Sequence, residues 1–238
     1  MCSHQPLPAD QALPAACPAC GVVLAKVAAL PAGTPRRATP VDDGAEERSL
    51  LWNLPAGSSA LGVAARAALW AAFAVWAVAL IRLDVRTGEF NETFLHRPLL
   101  IFHEAGHLVF RPFGEWMAYF GGTAMQLLVP AIMAGALLWK NRDPFGASFG
   151  LWLVGVSLLD IAPYVYDALD PQLMLLGGRT GQDGDHDWMY LLETLGARQR
   201  AQGIGIAVHH AGTFVAALAL AWGACLLALQ WRDRTDAA

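Results

Sequence analysis

Four stretches without a single Asp, Glu, Lys or Arg, at 67–81, 116–139, 144–159 and 201–231, decide most of what this chain can fold into. A bilayer core about 30 Å thick needs roughly 20 consecutive apolar residues in one helix, because no water is present there to satisfy an open backbone. Only 15% of the residues are charged, against about 25% in soluble domains. The first stretch is short, but Arg66 and Arg82 at its ends can lay their stems along it and keep their charge in the interface. Trp116, Trp139 and Trp231 stand near the ends of apolar runs, where indole rings favour the membrane boundary. The expected fold class is all-α, a polytopic helical membrane protein with about five membrane helices. They are placed at 60–82, 97–111, 116–140, 146–167 and 204–231.

Three regions follow from composition: a zinc-ribbon-like segment at 1–25, a flexible linker at 26–58, and a helical membrane domain at 59–238. The linker holds Pro31 and Pro35 among scattered charges such as Arg36, Asp42 and Glu46. The first sixty residues are too polar and too rich in Pro for a signal peptide. With five crossings, nine Lys and Arg fall on the N-terminal side and seven on the other. That excess predicts a cytoplasmic N-terminus in a multi-pass protein of a bacterial inner membrane. The net charge of −4 is small, and no nucleic-acid partner is expected. The lipid bilayer is the expected surrounding, and the sequence fixes no oligomeric state.

Within the second helix lies His103-Glu104-Ala105-Gly106-His107, an H-E-x-x-H motif. Histidines four apart on a helix are separated by about 40° around its axis, so both reach one Zn²⁺. Glu104 beside them is placed to take a proton from a water at that metal. The flanks Leu99-Leu100-Ile101-Phe102 and Leu108-Val109-Phe110 are apolar. Three ionisable side chains in such a setting are costly unless they have a function. Pro98 opens this helix and Arg111-Pro112 closes it, leaving it too short to span cleanly.

A catalytic zinc takes three protein ligands and keeps one position open. Beyond His103 and His107, the sequence offers Asp167, with His186 and Asp160 as alternatives. Asp160 and Asp167 lie in and at the end of an apolar helix that Pro163 loosens. His186 sits in the polar loop Asp185-His186-Asp187-Trp188, and the stretch from Trp188 to Leu192 is amphipathic, suited to lie on the membrane or cover the site.

Taken together, these segments resemble the site-2 protease family of intramembrane zinc metalloproteases. That family pairs HExxH on one membrane helix with a later Asn-x-x-Pro and Leu-Asp-Gly segment. Here Asp160-x-x-Pro163 and Asp167-Ala168 occupy those places, and Gly121-Gly122-Thr123-Ala124-Met125-Gln126 resembles the family's glycine-bearing hairpin. The resemblance covers roughly 95–170 and implies Asp167 as third zinc ligand, with Asp160 orienting a ligand histidine through a hydrogen bond. It also implies a zinc metalloendopeptidase that cleaves membrane-spanning or juxtamembrane peptides, with Glu104 as general base. HEAGH occurs in ATP-dependent membrane proteases too, but no G-x-x-x-x-G-K-[ST] phosphate loop exists here. The alternative is a non-proteolytic polytopic membrane protein with a structural or sensing metal site.

Near the start, Cys17-Pro18-Ala19-Cys20 has the spacing of a zinc-knuckle half, and Cys2 and His4 supply two further donors. Thiolates and an imidazole form a closed tetrahedral shell, so a structural zinc is expected on Cys2, His4, Cys17 and Cys20.

Overall fold

Apolar runs this rich in Ala, Leu, Val and Trp have one way to satisfy their own backbones in lipid, and each forms a helix. The computed structural model describes residues 50–54, 59–176, 178–183 and 186–235. The described helices are α1 (Ala60–Ile81), α2 (His96–Phe110), α3 (Glu115–Trp139), α4 (Pro144–Asp167), α5 (Asp187–Thr194) and α6 (Ala201–Thr235). Local chemistry sets their starts. The Ser59 hydroxyl accepts the Gly62 N–H ahead of α1, and the Asp143 carboxylate accepts the Gly146 N–H ahead of α4, where Pro144 needs no partner. Among the described residues there is no strand, only an isolated bridge between Met174 and Thr180.

Cys2, His4, Cys17 and Cys20 lie outside the described residues, as does most of the expected linker. The linker's described end is not loose. Leu50–Trp52 form a 3₁₀ turn, the Leu51 carbonyl accepts from Trp222 Nε1 at 3.1 Å, and Asn53 donates to the Arg142 carbonyl at 3.0 Å.

Among the described residues four helices (α1, α3, α4 and α6) are long and apolar enough to cross a membrane, rather than about five. The motif helix α2 is the exception. Its 15 residues reach only about 22 Å, and it carries His96, Arg97, His103, Glu104 and His107. Directions follow from neighbours. Arg66 near the start of α1, the α3–α4 turn and Gln230 near the end of α6 line one cavity. So α1 and α4 begin, and α3 and α6 end, at the same end of the bundle. Helix α2 starts beside Asp160, part-way along α4, and runs antiparallel to α3, with His103 at Gln126 and His107 at Ala118.

Lipid supplies no hydrophobic drive between helices, so close contact comes from small residues that let backbones approach. A Cβ on Gly155 of α4 would lie 2.6 Å from the Ala216 nitrogen of α6, and one on Gly106 of α2 would meet the Gly121 carbonyl of α3. Around these crossings Leu80, Leu99, Trp152, Val156 and Leu159 form the core. Leu61, Val75, Ile132 and Phe214 stay exposed on outward faces, as lipid-facing side chains would be.

Candidate metal centre

The close α2–α3 crossing brings the two motif histidines against a bare backbone. A Cβ at Gly122 would lie 2.5 Å from His103 Nε2 and 2.7 Å from His107 Cε1, so the rings occupy the space that any side chain would take. Each ring is oriented through its other nitrogen. His107 Nδ1 lies 2.8 Å from the Ala118 carbonyl and donates to it, and His103 Nδ1 lies 3.1 Å from Gln126 Oε1 and donates likewise. Both Nε2 lone pairs are then left to point elsewhere, the arrangement that second partners impose on metal-binding histidines.

They point at Asp187. Its Oδ2 stands 2.9 Å from His103 Nε2 and 3.3 Å from His107 Nε2. Donor atoms that converge in this way can be joined by a metal cation, or by a proton held on an imidazole. For an ion about 2.0–2.2 Å from each donor, tetrahedral geometry separates donors by about 3.3–3.6 Å, so the cluster needs little movement to accept one. Among the described residues, His103, His107 and Asp187 are the group placed to hold a metal. Asp187 lies outside the four helices long and apolar enough to cross a membrane. Burial opposes its charge, but hydrogen bonds and charge from His103 and His107, present when those rings carry a proton at Nε2, outweigh that and hold its carboxyl below the ordinary value.

The carboxylate that meets the histidines is thus Asp187 and not Asp167. Asp167 is the last residue of α4, and its Oδ1 accepts the N–H groups of Gln172 at 2.8 Å and Leu173 at 3.1 Å. The backbone N–H groups of the segment after the helix thus hold this carboxylate. His186 is turned away as well. Its Nδ1 accepts the Met189 N–H, which starts α5, and its Nε2 faces Asp167 Oδ2 at 3.4 Å. Asp160 lines the same cavity but accepts from His96 Nδ1 at 2.8 Å and from Gln126 Nε2 at 2.6 Å. Through Gln126 it reaches His103, giving a continuous chain of hydrogen bonds from His96 to the His103 ring.

Helix α5 positions the third donor. Trp188 Nε1 donates to Thr123 at 3.1 Å, Tyr190 stacks on Tyr119, and Leu191 and Leu192 are buried. The amphipathic stretch therefore packs on α3 and closes the site. Tyr164 of α4 completes the wall, its hydroxyl oxygen accepting the Asp187 N–H at 3.0 Å and its ring stacked on His186. Glu104 is exposed toward a cavity of about 280 Å³ that it shares with His103, His107, Asp187, Asn91 and Arg179.

Sequence reasoning passed over Asp187, His96 and the link made by Gln126. Asp187 stands next to a histidine that was singled out, at the start of an amphipathic octapeptide. Only the fold of that loop tells which of its polar residues turns inward.

Gly122→Ala tests the cradle. The added methyl must push both imidazoles aside, and zinc affinity is expected to fall by at least about tenfold. Competition with a chromophoric chelator measures this, with circular dichroism as the check on helicity. Unchanged affinity would mean that the rings do not sit against α3 as described.

Comparison with protein-family models, with curated proteins and with solved structures finds no match to this chain.

Proposed function

We propose that this chain is a membrane-embedded zinc metallopeptidase of the site-2 protease type, a multi-pass protein that cuts peptide bonds next to the membrane. The observation that carries the reading is the convergence of three donor atoms, on His103, His107 and Asp187, with Glu104 on the same cavity wall. The donor set fits zinc: two imidazoles whose Nδ1–H groups are held by Gln126 and Ala118, which leaves Nε2 for a metal, and one carboxylate. Zinc there would supply Lewis acidity, bringing a water's pKa toward about 7 and polarising a peptide carbonyl. The rest falls to the chain's own side chains. Glu104 takes the proton of the attacking water and returns it to the leaving amine. Gln126 and the Ala118 carbonyl keep the rings fixed, so little reorganisation is needed during reaction.

The depth of the site supports a juxtamembrane substrate. Helix α1 ends at Ile81, and its Leu80 packs in the same core as Val156 and Leu159 of α4. Asp160 and Tyr164, which face the site, follow on the next turns of α4. The metal cluster therefore stands level with or beyond the polar exit of α1, where Arg82, Asp84, Arg86, Glu89 and Glu92 begin. Four crossings put both chain ends on one side, and the Lys and Arg count still favours that side by nine to seven. This supports a cytoplasmic N-terminus with the site near the opposite face.

The test is cleavage by the full chain in liposomes that hold single-span peptides with varied flanks. Cleavage next to the apolar segment should stop on chelation and return with added zinc. Cleavage that survives complete zinc removal would overturn the assignment.

A further inference from the structure

The opposite end of the bundle holds a second cavity, of about 260 Å³, where α1 and α4 begin and α3 and α6 end. Gln230 of α6 lines it, is 3% exposed, and has no hydrogen-bond partner at either Nε2 or Oε1. Arg66 lines it too, with its buried Nη1 unpartnered and its guanidinium 5.5 Å above the Phe145 ring. Asn141 and Arg142 also line it. Asn53 donates to the Arg142 carbonyl, and Asp143 accepts the Gly146 N–H. Leu54, Pro144 and Leu226 supply an apolar side.

An unpartnered buried amide and a fixed cation are costly, and both are satisfied at once by a ligand of definite chemistry. The guanidinium fork and the Gln230 N–H₂ call for an anion with several acceptor oxygens, as a phosphate has. Gln230 Oε1 calls for a donor beside that anion. Asp143 adds a negative charge nearby and so favours a ligand whose donor end is a hydroxyl or ammonium over a bare anion. The apolar side suits the start of an acyl chain, and basic pockets between membrane helices are known hosts for lipid headgroups.

We propose that this cavity is a binding site for a phosphate group with an adjacent hydrogen-bond donor, carried by a phospholipid headgroup at the face opposite the metal centre. Phosphate oxygens take the Arg66 and Gln230 N–H groups, and a headgroup hydroxyl or ammonium donates to Gln230 Oε1. Phosphatidylcholine lacks such a donor.

The experiment reconstitutes the full chain in nanodiscs of phosphatidylglycerol, phosphatidylethanolamine or phosphatidylcholine, then extracts it and counts retained lipid by native mass spectrometry. About one phosphatidylglycerol or phosphatidylethanolamine per chain is expected, with phosphatidylcholine retained at least about tenfold less. Gln230→Glu is nearly isosteric but repels phosphate, and it should lower retention about tenfold, as should Arg66→Gln. Arg66→Lys, which keeps the charge, should lose less. The lipid series on the unaltered chain needs no variant to fold. A parallel arm titrates inorganic phosphate by phosphorus NMR. Free phosphate that binds to the lipid-stripped protein and displaces the retained lipid would assign the site to a soluble ligand and overturn the headgroup. Equal retention of all three lipids, or full retention by Gln230→Glu, would overturn the site itself.

Discussion

Glu104→Gln in the full chain should keep its metal and lose peptide cleavage by about 10²–10⁴-fold, the usual weight of a positioned acid–base group. The side chain is not among the converging donors, so removing its charge leaves His103, His107 and Asp187 untouched. It is exposed on the cavity wall, so the amide fits without steric cost. Substrate should therefore still bind and be held uncut, which crosslinking or co-purification of a single-span peptide would detect. This variant also separates an enzyme from a structural or sensing metal site. In a non-enzyme Glu104 has no task, and the substitution would change nothing that can be measured.

Asp187→Ala should weaken zinc binding by more than the roughly 10–100-fold that loss of an outer hydrogen-bond partner costs. Removing this side chain deletes one of three donors and leaves two imidazoles whose lone pairs face an opening. Asp167→Asn should behave differently. The amide oxygen can still accept from Gln172 and Leu173, so the loop that carries His186 and Asp187 stays in place and zinc binding changes by less than about tenfold. Gln126→Leu lies between these two, because His103 keeps its lone pair but loses the acceptor that aims it. Equilibrium zinc titration of the three variants gives the order. A tighter dependence on Asp167 than on Asp187 would overturn the ligand set.

The helices were legible in the sequence because lipid leaves an apolar run no alternative structure. Pro98 and Arg111-Pro112 marked the ends of the motif helix within a few residues. The motif histidines were legible because their spacing is a property of one helix. The third donor was not. Asp167 looked like a ligand by its place after Pro163, but the backbone N–H groups that follow a helix end are invisible to a pattern of residues, and they hold its carboxylate. Asp187 comes from a loop whose path depends on Tyr164, Trp188 and Leu191, contacts that join residues far apart in the chain. The fifth crossing failed for a related reason. The apolar flanks of the motif resemble a span, whereas 15 residues beginning part-way along α4 do not make one.

Zinc-edge X-ray absorption reads the ligand set at the metal, on the full chain with Cys2, Cys17 and Cys20 replaced by Ser so that the N-terminal segment adds no thiolate signal. One bound zinc is expected, with a nitrogen and oxygen shell at about 2.0–2.2 Å, two imidazoles in the scattering pattern, and loss of that signal in Asp187→Ala. A sulfur distance near about 2.3 Å, a shell unchanged by Asp187→Ala, or no bound zinc at all would contradict this ligand set.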